Sequence, residues 1–485
     1  MTCFARKSES LQKIIGNLAE DVLDSATRVR LCASNSYDTT QRADVTSRFS
    51  LVALLAALAL VAAACGDSTD DTTTAAPATT QAATTTAAPT TTAAPTTTEA
   101  TTTTAAPAAA PLVIWADDTR AEVLGPLTDK FTADTGIPVE VQLVGFGDIR
   151  NNIQTAGPAG EGADVFVGAH DWIGELQANG VLAEVDLAGR ESEFYDNAIG
   201  AFSLGGTLYG VPYAIESMGL YRNTDLVPDA PTTWDELTAA CDGLTDITVC
   251  IAAPARDAFA NQAFVQGFGG YIFDYTDTGF DAANVGLDNE GAVAGATWLD
   301  GAIKDGYFSA DVEWGNMNDI FGNGEAPFLW QGPWHLQTVR DSGVNYAVQT
   351  FPAVDGSTPI PFVGVQAFMV NSFSDQQVAA QLFLTDYVAT QDFMLELFDV
   401  GLRGPAHISS YEAAIAADPE VSAFTPVDAD PGLLMPNIPE MSSVWGAMGD
   451  AFTIIFNQAY TDEVVDPAAV MARAAETVRN AIAGG

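Results

Sequence analysis

An α/β fold is what the 485-residue sequence predicts from Leu112 onward, and three observations predict it. Short apolar runs alternate with amphipathic stretches of helical length, glycines punctuate the boundaries, and about 374 residues follow Pro111, enough for two domains. Leu112-Val-Ile-Trp115 reads as a strand, and Arg120 to Thr135 as an amphipathic helix ended by Gly136. Ile137 to Leu143 gives the next strand and Ile149 to Ala156 a short helix. Ala163-Asp-Val-Phe-Val167 is a buried strand ending at Gly168, with helix again from Gly174 to Asn179. Such alternation implies a largely parallel sheet with helices on both faces. Ligands of these sheets sit beyond the carboxyl ends of the strands, which singles out Trp115-Ala-Asp-Asp118 and Gly168-Ala-His-Asp171.

The chain before Leu112 has another character. Gly66 to Pro111 repeats Thr-Thr-Ala-Ala-Pro with almost no bulky apolar residue, so it is expected to be an extended tether. Phe49 to Ala64 is apolar apart from Ser50, follows Arg42 and Arg48, and ends in small residues before Cys65. A basic flank, a short apolar core and a small-residue exit describe a secretory signal over 42–64. The cysteine behind it resembles the bacterial lipoprotein signal, although Ala62 stands where that motif usually has Leu. The resemblance implies lipidation of Cys65 and retention at the outer face of the cell membrane. Residues 1–41 fit no part of a signal and read as an upstream extension from a misassigned start.

Charge and cysteine usage narrow the function classes. The chain carries 18 Lys and Arg against 63 Asp and Glu, for a net charge of −45. A surface this acidic repels phosphate backbones and argues against nucleic-acid binding. Beyond Cys65 only Cys241 and Cys250 remain. In an oxidising compartment they read as a local disulfide, with free buried thiols as the alternative. His170, His335 and His407 are scattered without ligand spacing, so neither a metal site nor a cofactor is expected.

A colinear series of short motifs covers nearly all of Leu112 to Gly485: Leu112-Val-Ile-Trp115, Phe131-x-x-Asp134-Thr-Gly-Ile137, Ala169-His-Asp171, Gly180-Val-Leu-Ala-Glu184, Tyr209-Gly-Val-Pro212 and Ile215-Glu216. It continues through Gly269-Gly-Tyr271, Val285-Gly-Leu-Asp-Asn289, Gly332-Pro-Trp334, Pro361-Phe-Val-Gly364, and Met435-Pro-Asn-Ile-Pro439 with Met441 and Trp445. In this series the chain resembles the maltose/maltodextrin-binding family, extracellular solute receptors of ABC importers. The resemblance implies a periplasmic-binding-protein-like fold: two α/β lobes, with a sugar cleft between them and hinge crossovers. The first lobe would be 112–214 with 366–416 and the second 219–362 with 420–485. The expected crossovers lie near 214–218, 364–366 and 416–420. It also implies a monomer whose partners are a carbohydrate and the importer's permease subunits.

A sugar offers vicinal hydroxyls and an apolar ring face, so its site interleaves carboxylates with flat aromatics. At the positions the resemblance points to, the candidates are Asp117 or Asp118 with Arg120, then Asp171, Glu216, Asp257 with Phe259, Trp334 and Trp445. Against each stands a plain structural role: a solvated turn, a helix cap, a hinge brace, core packing. The departures matter too. The family's tryptophan before Ala169 is Gly168 here, and its arginine after the aspartate is Trp172. A tyrosine and an arginine accompanying the last tryptophan correspond to Gly446 and Gly449, and a lysine and glutamate to the neighbourhood of Gly147 and Asp148. Trp172 is therefore the candidate to replace the missing stacking surface. The expected function is binding of maltose or maltodextrin-type sugar. The alternatives are another oligosaccharide, a disaccharide such as trehalose, and a secreted glycosidase using paired carboxylates. No nucleophile elbow or phosphate-binding glycine loop accompanies those carboxylates, and the expectation is a protein without catalytic activity.

Overall fold

The computed structural model describes residues 110–458, 461 and 464–484. The expected upstream extension, signal, Cys65 and nearly all of the tether lie outside the described residues. Ten strands carry the framework: β1 (Leu112–Ala116), β2 (Val139–Leu143), β3 (Val165–Ala169), β4 (Val211–Glu216), β5 (Gly219–Asn223), β6 (Ile251–Ala252), β7 (Phe328–Gln331), β8 (Tyr346–Gln349), β9 (Gly364–Val370) and β10 (Gly404–Pro405). They form a six-stranded sheet in the order β10-β4-β9-β3-β1-β2 and a four-stranded sheet in the order β8-β5-β7-β6. The helices used below are α1 (Asp118–Thr135), α2 (Phe146–Ala156), α3 (Ile173–Ala178), α4 (Trp234–Asp242), α5 (Ala258–Gly267), α6 (Gln391–Gly401) and α7 (Val444–Asn457). Two α/β lobes, one around each sheet, make the periplasmic-binding-protein-like fold.

Local chemistry explains the boundaries. Asp117 caps α1 by accepting from the Arg120 amide at 3.2 Å, and Gly136 ends the helix at φ 74°, where a side chain would be strained. Val123, Leu124, Leu127 and Phe131 bury one stripe of α1 against the first sheet, whose β3, β4 and β9 are buried along their whole length. Cys241 at the end of α4 and Cys250 just before β6 are joined by a disulfide, with Cα atoms 5.5 Å apart. It closes a short loop, for which chain entropy implies about 2.5 kcal/mol. Replacing both cysteines by alanine should lower the stability of the second lobe by about that amount in chemical denaturation. An unchanged unfolding midpoint would show that closing this loop does not constrain the unfolded chain.

The sheets depart from the expected parallel order. β1 runs parallel to β2 and β3, and β6 runs parallel to β7. However, β9 lies antiparallel between β3 and β4, β10 antiparallel to β4, and β5 antiparallel to both β7 and β8. The reason lies in the connections, since a parallel pair needs a long crossover, usually a helix. β5 follows β4 after only Ser217 and Met218, and β9 enters the first sheet directly from the Phe362–Val363 segment. A strand that crosses between sheets without a helix arrives reversed. β9 also forces a bulge on β4: Gln366 pairs with Ala214 and Ala367 with Pro212, leaving Tyr213 as the extra residue.

One connection was not expected. The segment after Met435, assigned by the sequence to the second lobe, seats on first-lobe elements. Ile438 and Pro439 pack against Gly174 of α3. Asn437 donates to the Ala201 carbonyl at 3.0 Å and to that of Ser203 at 3.3 Å.

Candidate functional site

The 3₁₀ turn His170–Trp172 follows β3 directly, so the strand end delivers three buried side chains to one place. Asp171 is 5 % exposed and accepts from the Trp445 indole N–H at 2.9 Å. Burial pushes its carboxyl up to about 6, against the pull of the Trp445 N–H and the Arg150 charge. His170 is wholly buried, and its Nδ1 accepts the Val365 amide of β9 at 3.1 Å. Burial drops its imidazole to about 4, so it stays neutral at physiological pH. Trp172 packs its ring 4.9 Å from Phe146 of α2, tilted by 39°. A Cβ on Gly168 would lie 2.4 Å from the Trp172 ring, so the indole covers the space a side chain at 168 would take.

The second lobe presents a similar pair. Asp257 caps α5, accepting the Ala260 amide at 2.8 Å, and also receives the Trp314 indole N–H at 2.9 Å. Burial raises its carboxyl above the usual carboxylate range. Between the two indole–carboxylate pairs runs a line of rings: Trp314 to Trp334 at 6.2 Å, Trp334 to Phe259 at 6.0 Å, Phe259 to Phe362 at 6.1 Å, and Phe362 to Trp445 at 6.2 Å. Trp314, Trp334, Phe259 and Trp445 are each only partly buried. Trp334 is held in place because Gly332 leaves room under its ring: a Cβ there would stand 2.2 Å away.

The remaining first-lobe candidates are drawn into a different cluster. Asp117 is buried and paired with Arg120, so this carboxylate is committed to its own helix end. Asp118, by contrast, is exposed and accepts from the Thr119 amide at 2.9 Å. Arg120 also donates to the Tyr213 hydroxyl and lies 5.1 Å over the Phe146 ring. Glu216 accepts from Gln366 at 2.9 Å and pairs with Arg403 at 3.1 Å. Burial and then the Arg403 charge hold the His335 imidazole below its usual range, while the Asp118 charge opposes.

Of the candidates named from the sequence, the structure sets Asp171 against Trp445 and Phe259 against Trp334; four neighbours in these clusters were not among them. Trp314 lay in no motif, and Phe362, although inside Pro361-Phe-Val-Gly364, was not singled out as an aromatic platform. Tyr213 and Arg403 enter only through the bulge and the pairing of β10 with β4. The arrangement offers buried acceptors, partly open aromatic faces and compensated charges, which is the chemistry of a neutral polar solute.

Comparisons with known proteins agree with the geometry. Residues 127–423 match the family described as bacterial extracellular solute-binding protein. A galactooligosaccharide-binding protein of Bacillus subtilis is 27 % identical over 393 residues, 76 % of this chain and 89 % of that protein. A maltotriose-binding protein of Pyrococcus abyssi is 28 % identical over 353 residues, 70 % of this chain and 76 % of its own. A maltooligosaccharide ABC transporter solute-binding lipoprotein of Streptococcus pneumoniae is 26 % identical over 347 residues, 69 % of this chain and 81 % of its own. With two lobes and a matched stretch spanning more than half its length, the chain belongs to the bacterial extracellular solute-binding protein family.

Proposed function

We propose that the chain is the receptor of an ABC sugar importer, binding a neutral oligosaccharide of the maltodextrin type. The observation that carries this reading is the row of rings bounded by Asp171 and Asp257, each holding one indole N–H. Flat rings take the C–H faces of sugar units, and the two carboxylates take hydroxyls at either end. The lobes are 112–214 with 366–416 and 219–362 with 420–485, closing about the passages near 214–218, 364–366 and 416–420. Ligand that touches both favours the closed form. Trp172, buried over Gly168 and against Phe146, backs the turn that carries Asp171. Lipid on Cys65 and the Thr/Ala/Pro tether keep this monomer at the outer face of the membrane, within reach of its permease. The galactooligosaccharide-binding relative supports a second reading, the same receptor tuned to another oligosaccharide. A glycosidase is disfavoured because the family the chain matches and the relatives it resembles are solute-binding proteins.

A thermal-shift screen of Leu112–Gly485 against mono-, di- and oligosaccharides tests the reading, because a ligand of the folded state raises the melting temperature by mass action. Stabilisation by maltotriose and not by trehalose or xylo-oligomers is the expected result. Stabilisation by galactooligosaccharide alone selects the second reading, and a hydrolysis product would revive the enzyme. Trp172 was expected to offer a stacking surface, but its ring is buried; Trp172→Ala should still weaken sugar binding about tenfold, because the turn that carries Asp171 loses its packing. Unchanged affinity would remove Trp172 from the site.

A further inference from the structure

Glu216 is 4 % exposed, yet its carboxylate is only half used. Oε1 receives the Gln366 amide at 2.9 Å. Oε2 stands 3.1 Å from Arg403 Nε in an ion pair that is not aligned as a hydrogen bond, so among the described residues no group donates to it. Gln366 Oε1 beside it is likewise buried and without a donor. Two adjacent acceptors left open in a buried place imply an absent donor pair. Vicinal sugar hydroxyls supply such a pair.

Arg403 is what allows the carboxylate to sit there. Its Nη1 donates to the Tyr213 hydroxyl at 3.0 Å, an oxygen that Arg120 also holds, so the guanidinium is anchored on Tyr213 while its Nε faces Glu216. Strand alternation would put Tyr213 and Glu216, three residues apart, on opposite faces. The bulge at Tyr213 cancels that alternation and lets one arginine reach both. The chain also accepts strain to deliver Arg403: Leu402, a branched residue, turns at φ 51° to end α6 immediately before it.

We propose that Arg403 is a positioning residue of the sugar site, acting through Glu216: it compensates the buried carboxylate and fixes it so that Oε2 and Gln366 Oε1 receive adjacent hydroxyls. The proposal rests on the sugar-receptor reading. The test is a double-variant cycle on affinity and, separately, on melting temperature, using the sugar found in the screen. Arg403→Met should weaken binding about 30-fold or more, because Glu216 loses its charge partner. Glu216→Gln should also weaken it. In the Glu216→Gln background, adding Arg403→Met should cost little further affinity, and the double variant should regain most of the melting temperature lost by Arg403→Met alone. Arg403→Lys keeps the charge and folding while losing the second contact, so it should bind with intermediate affinity. Additive losses would show that Arg403 contacts sugar on its own account. Full recovery of affinity in the double variant would show a purely structural pair. Either result overturns the proposal while leaving the receptor reading intact. If the unaltered protein binds no sugar, the reading and the proposal fall together.

Discussion

Asp171→Asn is expected to move stability and affinity in opposite directions at pH 7. Burial raises the Asp171 carboxyl to about 6, so the folded chain holds its proton more tightly than the unfolded chain does. The associated stability is fully present below about pH 4 and is lost as pH rises through about 6. At neutral pH the ionised group therefore costs the fold up to about 3 kcal/mol. Asparagine removes that charge, and its side-chain oxygen can still accept the Trp445 indole N–H. The melting temperature at pH 7 should rise by a few degrees, and the difference from the unaltered protein should vanish near pH 4. Affinity should fall about ten- to a hundredfold, since a hydrogen bond to a charged acceptor becomes one to a neutral acceptor. In the unaltered protein, affinity should weaken as pH falls below about 6. The groups that bear on this carboxylate are Trp445, Arg150 and Glu175, and of these Arg150 and Glu175 pair with each other at 3.7 Å. Calorimetric titration across pH 4.5–8 checks both effects. A lower melting temperature for the variant at pH 7, or a pH profile it shares with the unaltered protein, would refute the account.

What the sequence made legible here are contacts whose chemistry is local. Asp171 could be read because it follows a strand end within three residues, and Trp334 because Gly332-Pro333 makes its turn. The exchange of Gly168 and Trp172 was readable as a compensation because both flank the same strand end. Illegible were properties that depend on how distant strands pair. The identity of a carboxylate's partner is one: Trp445 reaches Asp171 across 274 residues and Trp314 reaches Asp257 across 57. The direction of β5, β9 and β10 is another, since a short apolar strand reads alike whether its neighbour runs with it or against it. The bulge at Tyr213 combines both, because it exists only in the pairing of β4 with β9. Asp117 shows the reverse hazard. Its position after the first strand suits a ligand contact, but that strand end is also a helix start, and the cap took the side chain.

Gly174→Ala is expected to damage both stability and binding, although no atom of Gly174 enters the site. A Cβ there would stand 2.2 Å from the Ile438 carbonyl carbon, 2.4 Å from the Pro439 nitrogen and 2.6 Å from the Ile438 carbonyl oxygen. All three are backbone atoms, so no side-chain rotation relieves the overlap, and the Ile438–Pro439 segment has to move. Overpacking of this kind costs about 1–3 kcal/mol. The same segment leads into α7 and so positions Trp445, whose N–H must stay within 2.9 Å of Asp171. Displacing it should break that bond and lower affinity about tenfold or more. Gly446→Ala provides the contrast within the same region. Gly446 lies on the exposed face of α7 with nothing within 4 Å of an added Cβ, so alanine there should stabilise the helix by about 0.5–1 kcal/mol and leave binding alone. Melting curves and titrations of both variants separate the effects. If Gly174→Ala melted and bound like the unaltered protein, the Ile438–Pro439 segment would not be seated on α3. If it lost stability and kept affinity, Trp445 would reach Asp171 independently of that seat, held by α7 alone.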